Sequence, residues 1–289
     1  MAETNFTIGC DPEFCITNKE EGSVLSAEDY YERNCIGSDG GGVAFEVRPD
    51  YSTDPLRVVS NMHNNLLQLV RKEVDFGDPE YVWQAGSFIA TIEQPLGGHI
   101  HFGSIDSELT IPCACEWLDQ YVGAASILIE DKEEGIARRE RDYGYKGDHR
   151  VNDHGFEYRT PSSWITSPYI AAAILCLAKT VIHEALKLGG KKPTIRINNR
   201  HIAGMQVTTV RNKFMADIWP EITKMELYQD YKPQIDIIYM LVKNKRKWYP
   251  RTDMKTSWGI INLDKAQQPE NPNIKLDTIW QQVKNKKNL

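Results

Sequence analysis

Polar residues with chemistry to offer recur two apart between apolar neighbours in four short stretches: Asp11-Pro12-Glu13-Phe14, Phe45-Glu46-Val47-Arg48, His99-Ile100-His101-Phe102 and Phe156-Glu157-Tyr158-Arg159. Successive side chains of a strand point to opposite faces. The alternation predicts four strands, each with apolar residues on a core and its polar pair turned the other way. Residues 81–91 read as a fifth. Helical spacing follows Asp54-Pro55, a cap candidate with proline at the first helical position, through Leu56, Val59, Leu66, Leu67 and Val70. A second helix opens at Pro112 and runs to the charged stretch from Glu130 to Glu134. A third starts at Ser167-Pro168 and ends at Gly189-Gly190, where a terminating glycine belongs. Beyond Lys191 the pattern weakens: Pro233 to Lys247 reads as a helix, Gln267 to Asn273 as a loop, and a short helix follows. Strands and helices interleave in the order expected of an α+β fold, an antiparallel or mixed sheet with one face packed by helices and the other open.

If the four strands share that sheet, its open face carries Asp11, Glu13, Glu46, Arg48, His99, His101, Glu157 and Arg159. Solvated faces mix Lys, Thr, Ser and Glu, whereas this one holds carboxylates, imidazoles and guanidiniums and no lysine. Two carboxylates about 5 Å apart repel by roughly 3 kcal/mol at an effective dielectric near 20. Several on one face demand a counter-charge, and bound cations supply it most simply. Carboxylate oxygens with one or two imidazoles suit Mg²⁺ or Mn²⁺, and a pair of such ions is a common clamp for phosphoryl chemistry.

Charge is distributed unevenly. Up to Trp164 there are 13 Lys and Arg against 30 Asp and Glu, a net of −17; the remainder carries +11. The acidic part favours metal cations, and the basic part suits an anionic or macromolecular acceptor or the acidic half itself. Within the acidic part, Arg138, Arg139, Arg141, Lys146 and Arg150 form a cationic loop beside the carboxylates. A nucleoside triphosphate needs that arrangement, because guanidiniums grip phosphate oxygens that metals do not bridge. Ion pairing with Glu133, Glu134, Glu140 and Asp142 explains Arg138 and Arg139 equally well. Gly40-Gly41-Gly42 reads as a hairpin turn or a phosphate nest, and Lys243 to Lys247 with Trp248 and Tyr249 as a solvated helix end or a nucleic-acid contact. Six cysteines form no CxxC pair, which argues against a zinc site or a disulfide framework. With 41% hydrophobic residues, a mean hydropathy of −0.48, an N-terminus without basic or apolar leader regions and no uninterrupted apolar run near 18 residues, the expectation is a cytoplasmic protein without a membrane span. P-loop, GxGxxG and HExxH motifs are absent.

Gly9-Cys10-Asp11-Pro12-Glu13-Phe14, Phe45-Glu46-Val47-Arg48-Pro49, Gly97-Gly98-His99-Ile100-His101-Phe102-Gly103, the stretch from Tyr143 to Arg150 and that from Gly155 to Ser163 together resemble the phage-type COOH·NH2 ligases, amidoligases of the glutamine synthetase superfamily. The resemblance implies a glutamine synthetase-like catalytic domain over residues 1–190, with residues 191–289 as a basic extension packed on it or completing it, in the host cytoplasm if phage-encoded. It implies ATP, two or three Mg²⁺ or Mn²⁺ ions, and an amide bond formed through an acyl phosphate. Carried over by motif, Asp11, Glu13, Glu46, His99 and Glu157 are the metal ligands, and Arg150 and Arg159 stabilise the transferring phosphoryl group. Arg141, Lys146, His101 and Arg48 join them as ATP-binding candidates, Arg141 also as a catalytic one, and Asp11 as a group to deprotonate the amine. Asp11 is shorter than the glutamate of glutamine synthetase, and most of that enzyme's ammonium-site and oligomer-forming segments are missing. Substrate identity is not inherited, and oligomeric state stays open. A metal-dependent hydrolase or nuclease using the same acids and histidines is the main rival. A cupin-like oxygenase is a weaker one, with His99 and His101 but only Asp106 near the expected glutamate, and a scaffold on an idle ligase fold is a third.

Overall fold

The computed structural model describes residues 6–30, 35–38, 42–105, 109–194, 196–248 and 253–260. Along the chain run β1 (Thr7–Cys10), β2 (Glu13–Asn18), β3 (Ile36–Ser38), β4 (Phe45–Val47), α1 (Pro55–Lys72), β5 (Tyr81–Gln84), β6 (Phe88–Ile89), β7 (Gln94–Pro95) and β8 (Ile100–Gly103). Next come α2 (Ile111–Leu118), a π-helical turn (Asp119–Gly123), α3 (Ala124–Ile129), α4 (Lys132–Glu140), β9 (His149–Asn152), β10 (Gly155–Tyr158) and α5 (Pro168–Lys187). The last part holds α6 (Asn199–Ile202), α7 (Val207–Lys213), α8 (Trp219–Ile222), α9 (Lys232–Lys243) and α10 (Met254–Trp258). The fold is a mixed α+β one with antiparallel sheets.

The four polar-paired strands do not share one sheet. They divide between two four-stranded antiparallel sheets, ordered β1-β8-β10-β9 and β3-β4-β2-β5. The chain changes sheet at Pro12, which has no N–H to give to a ladder. On either side of it, Asp11 N donates to His99 O (3.4 Å) and Glu13 N to Gly97 O (2.9 Å), so both flanks hold the segment that leads into β8. The sheets therefore meet along Asp11–Glu13 and Gly97–His99, and the polar pairs come together at that junction. The expected strand over 81–91 is likewise broken, at Gly86 with φ +136°, into β5 and the short β6–β7 hairpin.

The helical signals act locally. Asp54 accepts from Leu56 N at 2.9 Å to start α1, and Ser167 from Ile170 N at 3.3 Å to start α5, each satisfying an orphan donor of the first turn. The second helix begins one residue before Pro112 because Thr110 is its cap. Gly189 and Gly190, at φ +62° and +68°, end α5 in the left-handed region that glycine enters without penalty. Helix α9 stops at Lys243, four residues short of expectation. Lys247 Nζ instead donates to Leu128 O (3.1 Å) and Trp248 N to Ile129 O (2.8 Å), so this end of the basic run caps the carbonyls of α3.

The main core runs from Phe6 to Ile260, with a smaller cluster of Cys15, Ala44, Ile89 and Leu96 beside it. Phe102 stacks on Phe156 at 5.1 Å, and Phe14 lies 5.5 Å from Phe45 and 5.3 Å from Trp83. Helix α5 sits at the centre, packed by α1, α2 and α9. It is long and apolar enough to cross a membrane, but it is mostly buried inside the protein, as a helix apolar on all sides must be somewhere. Helix α10 reaches back to the first half: Lys255, buried, gives its ammonium to the carbonyls of Phe76 (3.2 Å), Gly77 (3.5 Å), Asp78 (2.6 Å) and Tyr81 (2.5 Å), and Trp258 Nε1 donates to Ile165 O at 2.7 Å. Gly40 and Gly41 of the glycine run, Asp106, Tyr249 and everything from 261 on, including the expected loop and last helix, lie outside the described residues.

Candidate active site

Strand register lays out the site. Gly9 pairs with His101, His101 with Glu157, and Glu157 with Arg150, giving one row across the first sheet. In the second sheet Gly37 pairs with Glu46 and Glu46 with Glu13. Asp11, at the junction, faces both histidines: Oδ1 is 3.1 Å from His99 Nδ1 and Oδ2 is 3.0 Å from His101 Nε2. Glu157 Oε1 lies 3.1 Å from the same His99 Nδ1.

The face expected to be open is roofed. Glu13 is 1% exposed, His99 3%, Glu157 4% and Glu46 8%. The roof is the segment after α4, which no apolar alternation announces: the Tyr143 hydroxyl donates to Glu13 Oε1 (2.8 Å) and contacts His99 Nε2. Burying like charges is costly unless each is paired. Glu13 accepts from Gly97 N at 2.6 Å as well as from Tyr143. Glu46 accepts from Arg48 Nε at 2.7 Å. Glu157 takes Arg159 Nη1 at 2.9 Å and Arg150 Nη1 at 3.5 Å.

Burial pushes the Asp11 carboxyl up, but its contacts with His101 and His99 override that and hold it well below the usual carboxylate range. Burial pushes His99 down, and Asp11, Glu13 and Glu157 more than compensate, so its affinity for a proton rises. His101 follows the same balance, with Asp11 dominant. A positive charge thus belongs where Asp11 Oδ1, His99 Nδ1 and Glu157 Oε1 converge, all within 4.8 Å of one another. Asp11 Oδ1 and His101 Nε2 are buried and, despite these short approaches, outside hydrogen-bond geometry with any described residue. An acid, imidazole and acid set with an unsatisfied oxygen fits a hard or borderline divalent cation.

The sequence-derived residues do not all converge. Asp11, His99 and Glu157 form the cluster, with His101, Arg150 and Arg159 touching it. Glu13 is on the Nε2 side of His99, 3.9 Å away, and Glu46 engages Arg48. Arg141 is exposed and paired with Glu93. Lys146 Nζ stands 3.6 Å from Asp119 Oδ2. Arg138, one of the cationic-loop candidates, forms none of the anticipated ion pairs: it is fully buried and caps the carbonyls of Arg159, Thr160 and Pro161. Arg139 pairs with Glu130 at 2.6 Å.

Asp119 went unnoticed because it sits in a helix with ordinary spacing. The π-turn admits one residue beyond the α-helical count, a feature frequent at functional sites. Asp119 Oδ1 accepts from Gly147 N (3.1 Å), Tyr158 (2.8 Å) and Thr160 (3.3 Å), tying the cationic loop to β10. Burial raises its carboxyl to about 6, against the lowering effect of those bonds and Lys146. A native pKa above the unfolded value means that the native state binds the proton more tightly between pH 4 and 6, so this group makes stability fall as pH rises through that window, by up to about 3 kcal/mol. Asp119→Asn should lack that slope, so the difference between variant and wild-type urea midpoints should change with pH through the window; parallel pH profiles for the two proteins would contradict it.

Buried acids and imidazoles under guanidiniums, at the seam of two antiparallel sheets, make this a candidate enzyme site built for cations and anionic groups. The chain belongs to the phage phiEco32-like COOH.NH2 ligase-type 2 family, whose pattern matches residues 8–260. The match extends past the motif-bearing stretch to include α10, which completes the core. No curated protein matches the chain. Among solved structures, a bifunctional glutathione synthetase from Pasteurella multocida is similar over 91% of this chain and 52% of its own length, at 10% identity and a TM-score of 0.41. The chain spans about half the length of that enzyme, and a likeness of this degree carries no argument.

Proposed function

We propose that this protein is an ATP-dependent carboxylate-amine ligase with a glutamine synthetase-like catalytic face, forming an amide through an acyl phosphate. The observation that carries the reading is the convergence of Asp11, His99 and Glu157 with Arg150 and Arg159 on the same Glu157 carboxylate, in a member of a COOH.NH2 ligase family.

A free carboxylate is a poor acyl donor because oxide would have to leave. Transfer of the γ-phosphoryl group of ATP to a carboxylate oxygen releases ADP and makes phosphate the leaving group when the amine attacks. A divalent cation held by Asp11, His99 and Glu157 would neutralise charge on the phosphoryl oxygens. Among the described residues one such group is found, where the sequence leads to an expectation of two or three ions. Arg159, with a side chain 15% exposed, and Arg150, with one 63% exposed, offer a sheltered and an open guanidinium to the phosphates. A carboxyl held as low as Asp11 accepts a proton poorly near neutrality, so Asp11 is assigned to ligation rather than to deprotonating the amine.

The reading is tested by phosphorus NMR of the protein with Mg²⁺, ATP and a pool of amino acids, polyamines and small dicarboxylates. Conversion of ATP to ADP and phosphate that depends on the pool is expected. ATP signals unmoved by protein and Mg²⁺, together with phosphoester cleavage in the absence of ATP, would replace it with the hydrolase reading.

A further inference from the structure

Tyr143 lies between two guanidiniums: the Arg138 carbon is 4.3 Å from its ring centroid and that of Arg159 5.3 Å. Its hydroxyl, held by that stacking, touches one acid and one imidazole, Glu13 Oε1 and His99 Nε2. An ionised carboxylate can only accept, so the single hydroxyl proton points to Glu13 and a lone pair faces His99. The second contact is a hydrogen bond only when Nε2 carries a proton. Nδ1 is then the nitrogen left facing Asp11 Oδ1 and Glu157 Oε1, each 3.1 Å away.

Gly97 closes the arrangement from behind. A Cβ there would collide with both His99 Nε2 and the Tyr143 hydroxyl, and the Gly97 N–H holds the other oxygen of Glu13 at 2.6 Å. Glu13 is thereby fixed by two donors and in turn fixes the direction of the Tyr143 hydroxyl. Which imidazole nitrogen serves a metal is set by the hydrogen bond its partner nitrogen makes.

We infer that Tyr143 is a positioning residue that keeps the His99 proton on Nε2, with Glu13 and Gly97 as its supports, and so presents Nδ1 to a divalent cation between Asp11 and Glu157. The inference rests on the cation-binding part of the function proposed above. It also gives Glu13 a role one step behind the cation.

Tyr143→Phe keeps the ring between the two guanidiniums and removes only the hydroxyl. Mn²⁺ alone, titrated into the full chain and followed by the electron paramagnetic resonance of the free ion, should bind Tyr143→Phe roughly 10- to 100-fold more weakly than wild type. Tyr145→Phe, whose hydroxyl meets Asp142 away from the cluster, should bind as wild type does. Long-range ¹⁵N–¹H spectra of Mg²⁺-loaded wild type should show His99 protonated at Nε2, and this signature should be lost in Tyr143→Phe. Affinity within twofold of wild type in Tyr143→Phe, or a wild-type His99 protonated at Nδ1, overturns the inference alone; the spectrum decides even if the variant does not fold. A folded wild type that binds no Mn²⁺ overturns the cation reading as well.

Discussion

Glu157→Ala should lose ATP turnover by at least about 10³-fold while folding normally, the scale on which a pre-organised electrostatic contact at a reacting group acts. Its carboxylate joins the imidazole to both guanidiniums: His99 Nδ1 at 3.1 Å, Arg159 Nη1 at 2.9 Å and Arg150 Nη1 at 3.5 Å. Its removal takes one oxygen from the cation cluster and releases both guanidiniums from their shared anchor. The fold should survive because Phe156 and Tyr158, on the other face of β10, remain in the core. Glu157→Gln separates charge from shape, and should be nearly as inactive, since an amide oxygen neither balances a cation nor orients two guanidiniums equally. Rates of ADP release at saturating ATP, with circular dichroism as the folding control, measure both. Turnover within tenfold of wild type in either variant would remove Glu157 from the centre of the mechanism.

Arg138→Met should destabilise the protein by about 2–5 kcal/mol, the cost of leaving buried carbonyls without their donor. The guanidinium is wholly inaccessible and donates to Thr160 O (2.9 Å), Arg159 O (3.1 Å) and Pro161 O (3.1 Å). Burial lowers its affinity for the proton, and nearby Tyr143, Glu130 and Glu13 partly restore it. Methionine fills much of the space but takes the donor from the Arg159 and Thr160 carbonyls, each worth about 1–3 kcal/mol when buried unsatisfied, while Pro161 O keeps the Gly98 N–H at 3.1 Å. Gly144, at φ +81°, has no side chain because a Cβ would strike the Arg138 guanidinium. The fall should appear as a lower urea midpoint at unchanged slope; a loss below about 1 kcal/mol would contradict the account. Activity should fall too, since the bond to Arg159 O sets where that residue leaves β10.

What could be read from the sequence divides along physical lines. Caps at Asp54 and Ser167 and the glycines after α5 are local signals, and they mark helix ends in the structure. Parity correctly put Phe14, Phe45, Phe102 and Phe156 in the core, because a strand's alternation is a property of its own backbone. Parity says nothing about which strand is the neighbour, so the split into two sheets was not visible, although Pro12 marked the place. The burial of the polar face is hidden for a related reason: its cover comes from Tyr143, in a segment whose charges suggest solvent or phosphate. Gly97 and Tyr143 were in the motifs, but their mutual contact depends on a fold-level approach that spacing does not encode. Arg141 stands beside Glu93 and Lys146 beside Asp119, partners that neither charge nor spacing announces.

The ammonium of Lys255 enters a cup of carbonyls made 174 to 179 residues earlier in the chain. At about 5–20 residues per second, the cup waits on the order of 10–35 s during synthesis before its plug exists. Over that interval β5, the edge of the second sheet, lacks the contact that α10 later supplies. Ribosomes stalled ahead of codon 253 should therefore carry a chain in which all the site residues are present but Trp83 and the turn before β5 are still open to protease, because Asp253, Lys255 and Trp258 close that side of the fold together.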